Sequence, residues 1–397
     1  MLDTYRRILG RPGTALFSAT GLVARLPMSM VGLGIVLLVE GRSGSYGVAG
    51  AVAAAYMIAN AILAIVQGRL LDRLGQARVL SGASLVFGVA MVLLMWSVEA
   101  DWPIGTAYLF AAIAGASLPQ IGSCVRARWS YVLSAPEEVQ TAYALEAVVD
   151  EVVFILGPIL VTVLATGINP VAGLVTAMVT GVGGSLAFSG QRATEPPAHR
   201  DERDDGARPP MPWRTVIPLI VVFAGLGVLF GAAEVTTVAF ADEQGNKAYA
   251  GPLLALWALG SLVAGVVTGA LTWRTGPAER VRWGALGMAC AMVPLSFIGA
   301  VPLMGLMLLV GGLAIAPTLV AAMSLTAQIV PASRLTEGMA IMHTGLVAGL
   351  APGATISGFV VDHSGASTAY LVSLAAGVAA ALAAQAIPRA ERRTRLS

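Results

Sequence analysis

Glu146, Asp150 and Glu151 crowd into Thr141–Ala165, a stretch otherwise apolar enough to cross a bilayer. A membrane-spanning helix needs about 20 mostly apolar residues at ~1.5 Å rise each. A carboxylate near its centre costs on the order of 2.5–3.5 kcal/mol, so acids kept there belong against a cation, in a watered cavity or on a proton path. Glu146 and Asp150 are four apart and share a helix face that Gly157 continues, and Gly157-Pro158 marks a kink, since Pro158 lacks a backbone donor. Arg25, in GLVARLPMSM, is an equally costly cation, and depth counting sets Asp150 or Glu151 beside it. Pairing favours the charged carboxylate and burial the neutral one, so a proton is exchanged when that balance changes. A static ion pair that only fixes helix packing fits the same residues. Arg126 lies deeper than Arg128 and is placed to meet Glu146, the acid expected to face a cavity. Arg128 reads as an anchor reaching the membrane surface. Arg25, Arg126, Glu146, Asp150 and Glu151 are thus the charge-relay candidates, with Glu151 an alternative deeper switch, because coupled carboxylates titrate as a set.

The elements that position these groups are membrane helices. The chain has 397 residues, of which 57% are hydrophobic and only 12% charged, with mean hydropathy +0.79; a soluble domain is nearer a quarter charged. Hydrophobic runs give twelve spans, at about 14–39, 47–71, 78–98, 104–130, 140–166, 170–189, 214–240, 248–272, 279–299, 303–330, 335–361 and 366–387. The residues before the first run are read as leading into an uncleaved first helix. Basic residues orient the set: with both termini cytoplasmic, Arg42 and Lys247 are the outward exceptions and Arg25 sits inside a span. The polar segment QRATEPPAHRDERDDGARPPMPWR reads as a flexible linker, dividing a six-helix bundle at 1–190 from another at 214–397, with the linker at 191–213. The halves repeat. Gly68 and Gly75 match Gly269 and Gly276, Arg73 matches Arg274, Pro136 and Thr141 match Pro331 and Thr336, and Gly157-Pro158 falls opposite Pro352-Gly353. Such parallel repeats place a substrate site between two pseudo-symmetric bundles at mid-membrane.

The segment Gly68–Leu80, GRLLDRLGQARVL, resembles the loop signature of the major facilitator superfamily, Gly-x-x-x-Asp-Arg-x-Gly-Arg-[Arg/Lys]. Gly68, Asp72, Arg73 and Gly75 match and Arg78 supplies a late basic position, while Gln76 replaces an Arg. The resemblance, which extends over essentially the full length, implies a gating loop in which Asp72 meets a helix end or an Arg of the other half. Gly157-Pro158 is similar to the close of that family's antiporter signature, whose other glycines are absent. The family's mid-membrane Arg on the fourth span is also absent, since Ala111 and Ala112 stand before Gly115. The resemblance implies a bacterial plasma-membrane protein exporting small amphipathic molecules against protons by alternating access, with solute uptake as the alternative. It implies a monomer driven by the proton gradient without a cofactor.

Further polar residues fall inside spans. Tyr56, Asn60, Gln120, Phe230, Trp257 and Gln328 are expected to line a substrate cavity, although each is also an ordinary packing residue. Glu234 is placed to receive a proton or a cationic group, or to cap an outer-end contact. His343 titrates near neutrality when hydrated, and a lone His is more often packing. Other classes lack their motifs. Lys247 stands between Asn246 and Ala248, so no Gly-Lys-[Ser/Thr] phosphate loop exists, and three histidines form no His-Glu-x-x-His. A formal net charge of +2 argues against a nucleic-acid partner. A non-transporting sensor stays open as a function of another class, but has no need of the titratable cluster.

Overall fold

The computed structural model describes residues 2–43, 46–198, 209–246, 249–271, 273 and 275–388. Lys247, Arg274, linker residues 199–208 and the basic tail from 389 lie outside them. Among the described residues the regular structure is entirely helical. A short helix, α1 (Leu2–Leu9), precedes the first span, and the sequence reading did not resolve it. Buried Ile8 anchors it, and the Thr14 hydroxyl donates to the Ile8 carbonyl at 2.8 Å. The spans then follow as α2 (Thr14–Ser43), α3 (Tyr46–Leu74), α4 (Gln76–Glu99), α5 and α6 (Ile104–Ser117, Ile121–Val132), α7 (Pro136–Gly167) and α8 (Ala172–Ser189). After the linker come α9 (Trp213–Glu243), α10 (Ala250–Ala270), α11 (Pro277–Met292), α12 and α13 (Val301–Gly312, Ile315–Ile329) and α14 (Leu335–Gln385).

Among the described residues eleven helical stretches are long and apolar enough to cross a membrane, and leucines, isoleucines and valines exposed along them mark the lipid face. The expected ninth span, 279–299, is shorter. There α11 has 16 residues and stops before Pro294, whose ring starts a 3-10 turn, Pro294–Phe297. In the other direction α14 joins two spans, Ala332–Val361 and His363–Gln385. Gly365 breaks it with φ 78°, a value that favours glycine. The Glu243 carboxylate takes the freed Ala366 N–H at 2.7 Å.

The fourth expected span is two helices, and its break positions the site. Pro119 cannot donate a backbone bond and forces Leu118 into an extended conformation (φ −56°, ψ 120°). Broken backbone at membrane depth persists only where other groups satisfy it. Here the Gln67 amide donates to the carbonyls of Ala116 (2.8 Å) and Leu118 (3.1 Å). The break between α12 and α13 falls at Leu313, at the offset that relates Pro136 to Pro331.

Buried apolar side chains form two clusters. One occupies the first half alone, from Met30 to Val39 on α2 and from Phe87 to Val98 on α4, at the end away from the linker. The other starts around Phe17, Leu71, Trp129 and Tyr143 and runs on into the second half. This shared cluster lies at the end that carries α1, the linker and most arginines, called here the basic end. The halves are packed into one core there.

Gly157, at the expected kink with Pro158, is a point of close approach. The helix α7 runs through Pro158 without interruption. A Cβ on Gly157 would overlap the Ser29 hydroxyl of α2, which donates to the Val153 carbonyl at 2.8 Å. Gly157→Leu is therefore expected to force α2 and α7 apart and cost about 1–3 kcal/mol. Its thermal midpoint in detergent should fall, and an unchanged midpoint would contradict this packing.

Candidate functional site

Arg25 is the hub of the site. Buried on α2, it donates from Nε to the Gly21 carbonyl (3.1 Å), from Nη1 to Asp150 (2.7 Å) and from Nη2 to Glu146. Glu146 also accepts the Trp129 indole N–H (2.8 Å) and the Ser18 hydroxyl (3.2 Å). Asp150 divides its carboxylate between Arg25 and Arg126, the second bond also 2.7 Å. Arg126 gives its other terminal nitrogen to the Gly122 carbonyl at 3.2 Å, and its buried Nε has no partner. Two cations and two anions thus close a neutral quartet across α2, α6 and α7.

The two acids differ in their access to water. The Glu146 side chain is 0% exposed and that of Asp150 is 24%. This corrects the expectation that Glu146 faces the cavity and meets Arg126. Helical spacing puts both acids on one face, but Trp129 and Ser18 seal the lower one. Asp150 opens on a cavity of about 40 Å³ lined by Arg25, Asn60, Gln120 and Arg126 from the first half and Met323, Met339 and His343 from the second. That is room for roughly three water molecules. Glu151 is half-buried and sits beside Ser261 of α10, outside the quartet.

Of the other cavity candidates, Asn60, Gln120 and His343 line this space, and the Gln120 amide donates to Asn60 Oδ1 at 3.0 Å. Tyr56 is buried on α3 with an unpartnered hydroxyl and does not reach it. Phe230 and Trp257 stack edge to face, 5.6 Å between centroids, as a separate pair between α9 and α10. Glu234 is exposed one turn beyond Phe230, and Gln328 is exposed on α13, both outside the cavity. Ser18 and Trp129, which hold Glu146, and Met323 and Met339 carried no sequence signal beyond apolar or small character. Among the described residues no three His, Cys, Asp or Glu side chains gather as a metal site requires.

Closure at the basic end is built from backbone as much as from charge. Asp72 is buried and accepts the N–H groups of Thr336 (3.2 Å) and Glu337 (2.9 Å), capping the start of α14 from the other half. A carboxylate there meets both the free N–H groups and the positive end of the helix dipole. Glu337 in turn pairs with Arg69 (2.7 Å) and Arg334 (2.9 Å). Across the pseudo-symmetric position the Thr141 hydroxyl donates to the Gly269 carbonyl at 2.7 Å, and Tyr5 of α1 reaches the Val266 carbonyl at 2.9 Å. Arg73 and Arg78, also assigned to the gating loop, are exposed, and Gly75 supplies the turn between α3 and α4. Glu337 was missed. Its signal was an acid in the first turn of a helix with Arg334 three residues earlier.

Arg128 is no surface anchor. It is fully buried, donates to Gln76 (2.8 Å) and Thr194 (3.0 Å), and lies 3.8 Å from the Phe188 ring centroid. The Gln76 that departs from the loop signature is thus one of its partners.

A bundle of membrane helices enclosing a charged cavity between two halves of one chain is an architecture that membrane transporters use. Residues 17–311 match the model of the Major Facilitator Superfamily, and this multi-pass membrane protein belongs to that family of transporters, not to an enzyme class. Its structure is similar to that of a bacterial homologue of the iron transporter ferroportin in the outward-facing state (TM-score 0.76, 16% identity, covering 94% of this chain and 98% of the other). It is also similar to the human organic anion transporter MFSD10 (0.73, 17%, 96% and 99%) and to the E. coli fucose:proton symporter FucP (0.72, 12%, 95% and 98%). No curated protein matches the sequence.

Unequal burial predicts unequal consequences of neutralising the two acids. Glu146→Gln leaves Arg25 with only part of Asp150 in a sealed site and should destabilise by about 3–5 kcal/mol, as breaking a buried pair does. Asp150→Asn keeps Glu146 on Arg25 and touches water, so its thermal midpoint should fall much less. Equal losses would show that the quartet does not divide in this way.

Proposed function

We propose that the protein is a proton-coupled secondary transporter working by alternating access, with Asp150 carrying the exchangeable proton. One observation supports this most strongly. Asp150 is the more exposed carboxylate of the quartet, and it faces a cavity walled by both halves of the chain. A proton on Asp150 cancels its hold on Arg126 and weakens its hold on Arg25, while Glu146 keeps Arg25 in place. The chemical event is therefore confined to the surface of the cavity. The structural core of the cluster stays intact.

The protein lies in a bacterial plasma membrane with both termini in the cytoplasm, a reading supported by the basic residues gathered at one end. The Asp72 and Glu337 contacts then close the inner side. The bundles 1–190 and 214–397 move against each other, and opening inward requires those contacts and the shared apolar cluster to part. Export of small amphipathic molecules in exchange for protons is one way to use the site. A second reading is favoured by Asp150 itself: held between two guanidinium groups, it frees one when protonated, so that proton and substrate travel together.

Purified protein in proteoliposomes should move its substrate faster when a pH gradient is imposed. Acid on the substrate side should accelerate co-transport, and acid on the opposite side should accelerate exchange. Asp150→Asn should retain substrate exchange between the two sides yet lose the response to the gradient. Equal flux with and without the gradient in an active preparation would remove the proton from the mechanism.

A further inference from the structure

We infer that the cavity takes a small organic monoanion, such as a carboxylate, bound by Arg126 when Asp150 is protonated. The inference rests on the reading that Asp150 exchanges the proton, and extends it to the charge of the substrate. With Arg25, Arg126, Glu146 and Asp150 all ionised the quartet is neutral. One proton on Asp150 leaves a single positive charge in a cavity that holds only a few waters. An unbalanced buried charge is costly, and a monoanion restores neutrality.

Geometry decides which cation is left free. Arg25 retains Glu146 and the Gly21 carbonyl. Arg126 has no carboxylate other than Asp150, lines the cavity, and already carries an unsatisfied buried Nε. A guanidinium offers paired N–H donors in the plane that a carboxylate needs. The Asn60 amide and the Ser123 hydroxyl stand on the same wall, while Met28, Met323 and Met339 form an adaptable apolar surface for a hydrocarbon body.

The groups around Asp150 oppose a cation. Arg25 approaches from α2, Arg126 from α6 and His343 from α14, and a proton on His343 would add to the positive charge. On its own helix, Glu146 is committed to Arg25, and Glu151 faces α10. Glu234, Glu279 and Glu337, acids of second-half spans, do not line the cavity. With Asp150 ionised, the charges of the two arginines are balanced and an anion meets no net positive charge. Proton and anion therefore enter together as a neutral pair.

The test compares acetate and propionate, which match a space of a few waters, with the amides acetamide and propionamide and the amines methylamine and ethylamine. Binding is measured calorimetrically on the full chain in nanodiscs at pH 5.5 and 7.5. The carboxylates should bind at least tenfold more tightly than their amides. Their affinity should rise by up to about tenfold per pH unit of acidification where Asp150 is ionised. Asp150→Asn should keep carboxylate binding and lose its pH dependence, and Arg126→Gln should abolish it. The double variant Arg126→Gln/Asp150→Asn preserves the charge balance, guards against misfolding and should also fail to bind. Amines or amides binding as well as the carboxylates, or no carboxylate binding in folded protein, would overturn the anion site. Carboxylate binding that ignores pH would remove the Asp150 proton and leave the anion site standing. Gradient-driven flux without carboxylate preference would remove the anion site and leave proton coupling.

Discussion

A guanidinium cannot shed its charge inside a membrane, and this constraint on Arg25 shapes the centre of the molecule. A carboxylate in the same place has the option of taking a proton, whereas arginine stays ionised and must be surrounded. Glu146 supplies the permanent counter-charge, and Trp129 and Ser18 fix that carboxylate so that it does not follow the arginine elsewhere. With Arg25 balanced in this way, Asp150 is not needed to neutralise it. A carboxylate that packing does not require is one that can be neutralised without unfolding its surroundings. The division of labour between two acids four residues apart is what makes a titratable site compatible with a stable helix bundle.

The second arginine depends on a proline. Arg126 reaches the cavity because the fourth span breaks at Pro119 and restarts as α6, turning Gln120, Gly122, Ser123 and Arg126 inward. The break is tolerable only because Gln67 of α3 takes the freed carbonyls. The cavity is thus buttressed from within the first half, while its far wall is borrowed from α13 and α14. Nothing on that far wall carries a fixed charge. The second half closes the space, and the first half holds the chemistry.

The membrane character, the spans and the Arg25–Asp150 pair were legible in the sequence because burying charge in lipid is so costly that each exception demands a partner. The Asp72 contact was legible for a different reason, since the spacing of Gly68, Asp72, Arg73 and Gly75 carries a known geometry. What spacing alone could not give was which acid meets water. Glu146 and Asp150 share a face, and only the positions of Trp129 and Ser18, over a hundred residues from one another in sequence, separate them. Arg128 shows the same limit. Its place near a helix end pointed to the membrane surface, yet Phe188, Gln76 and Thr194 enclose it. The broken fourth span was signalled by Leu-Pro-Gln but hidden by the apolar residues around it, because hydropathy does not register a missing hydrogen bond. The break in the ninth span was hidden for the same reason, as its apolar run continues past Pro294.

The separation of 121 residues between Arg25 and Glu146 has a consequence for biosynthesis. Ribosomes deliver the chain from its N-terminus, at about 5–20 residues per second, so α2 emerges many seconds before α7. During that interval Arg25 has neither Glu146 nor Asp150 beside it. The remainder of α2 must then be apolar enough to carry an unpaired arginine into the bilayer unaided, which accounts for a first span of 30 residues rich in Leu, Val and Met. The arrival of α7 completes the charge balance. Until then the nascent helix depends on snorkelling and on water held around the guanidinium.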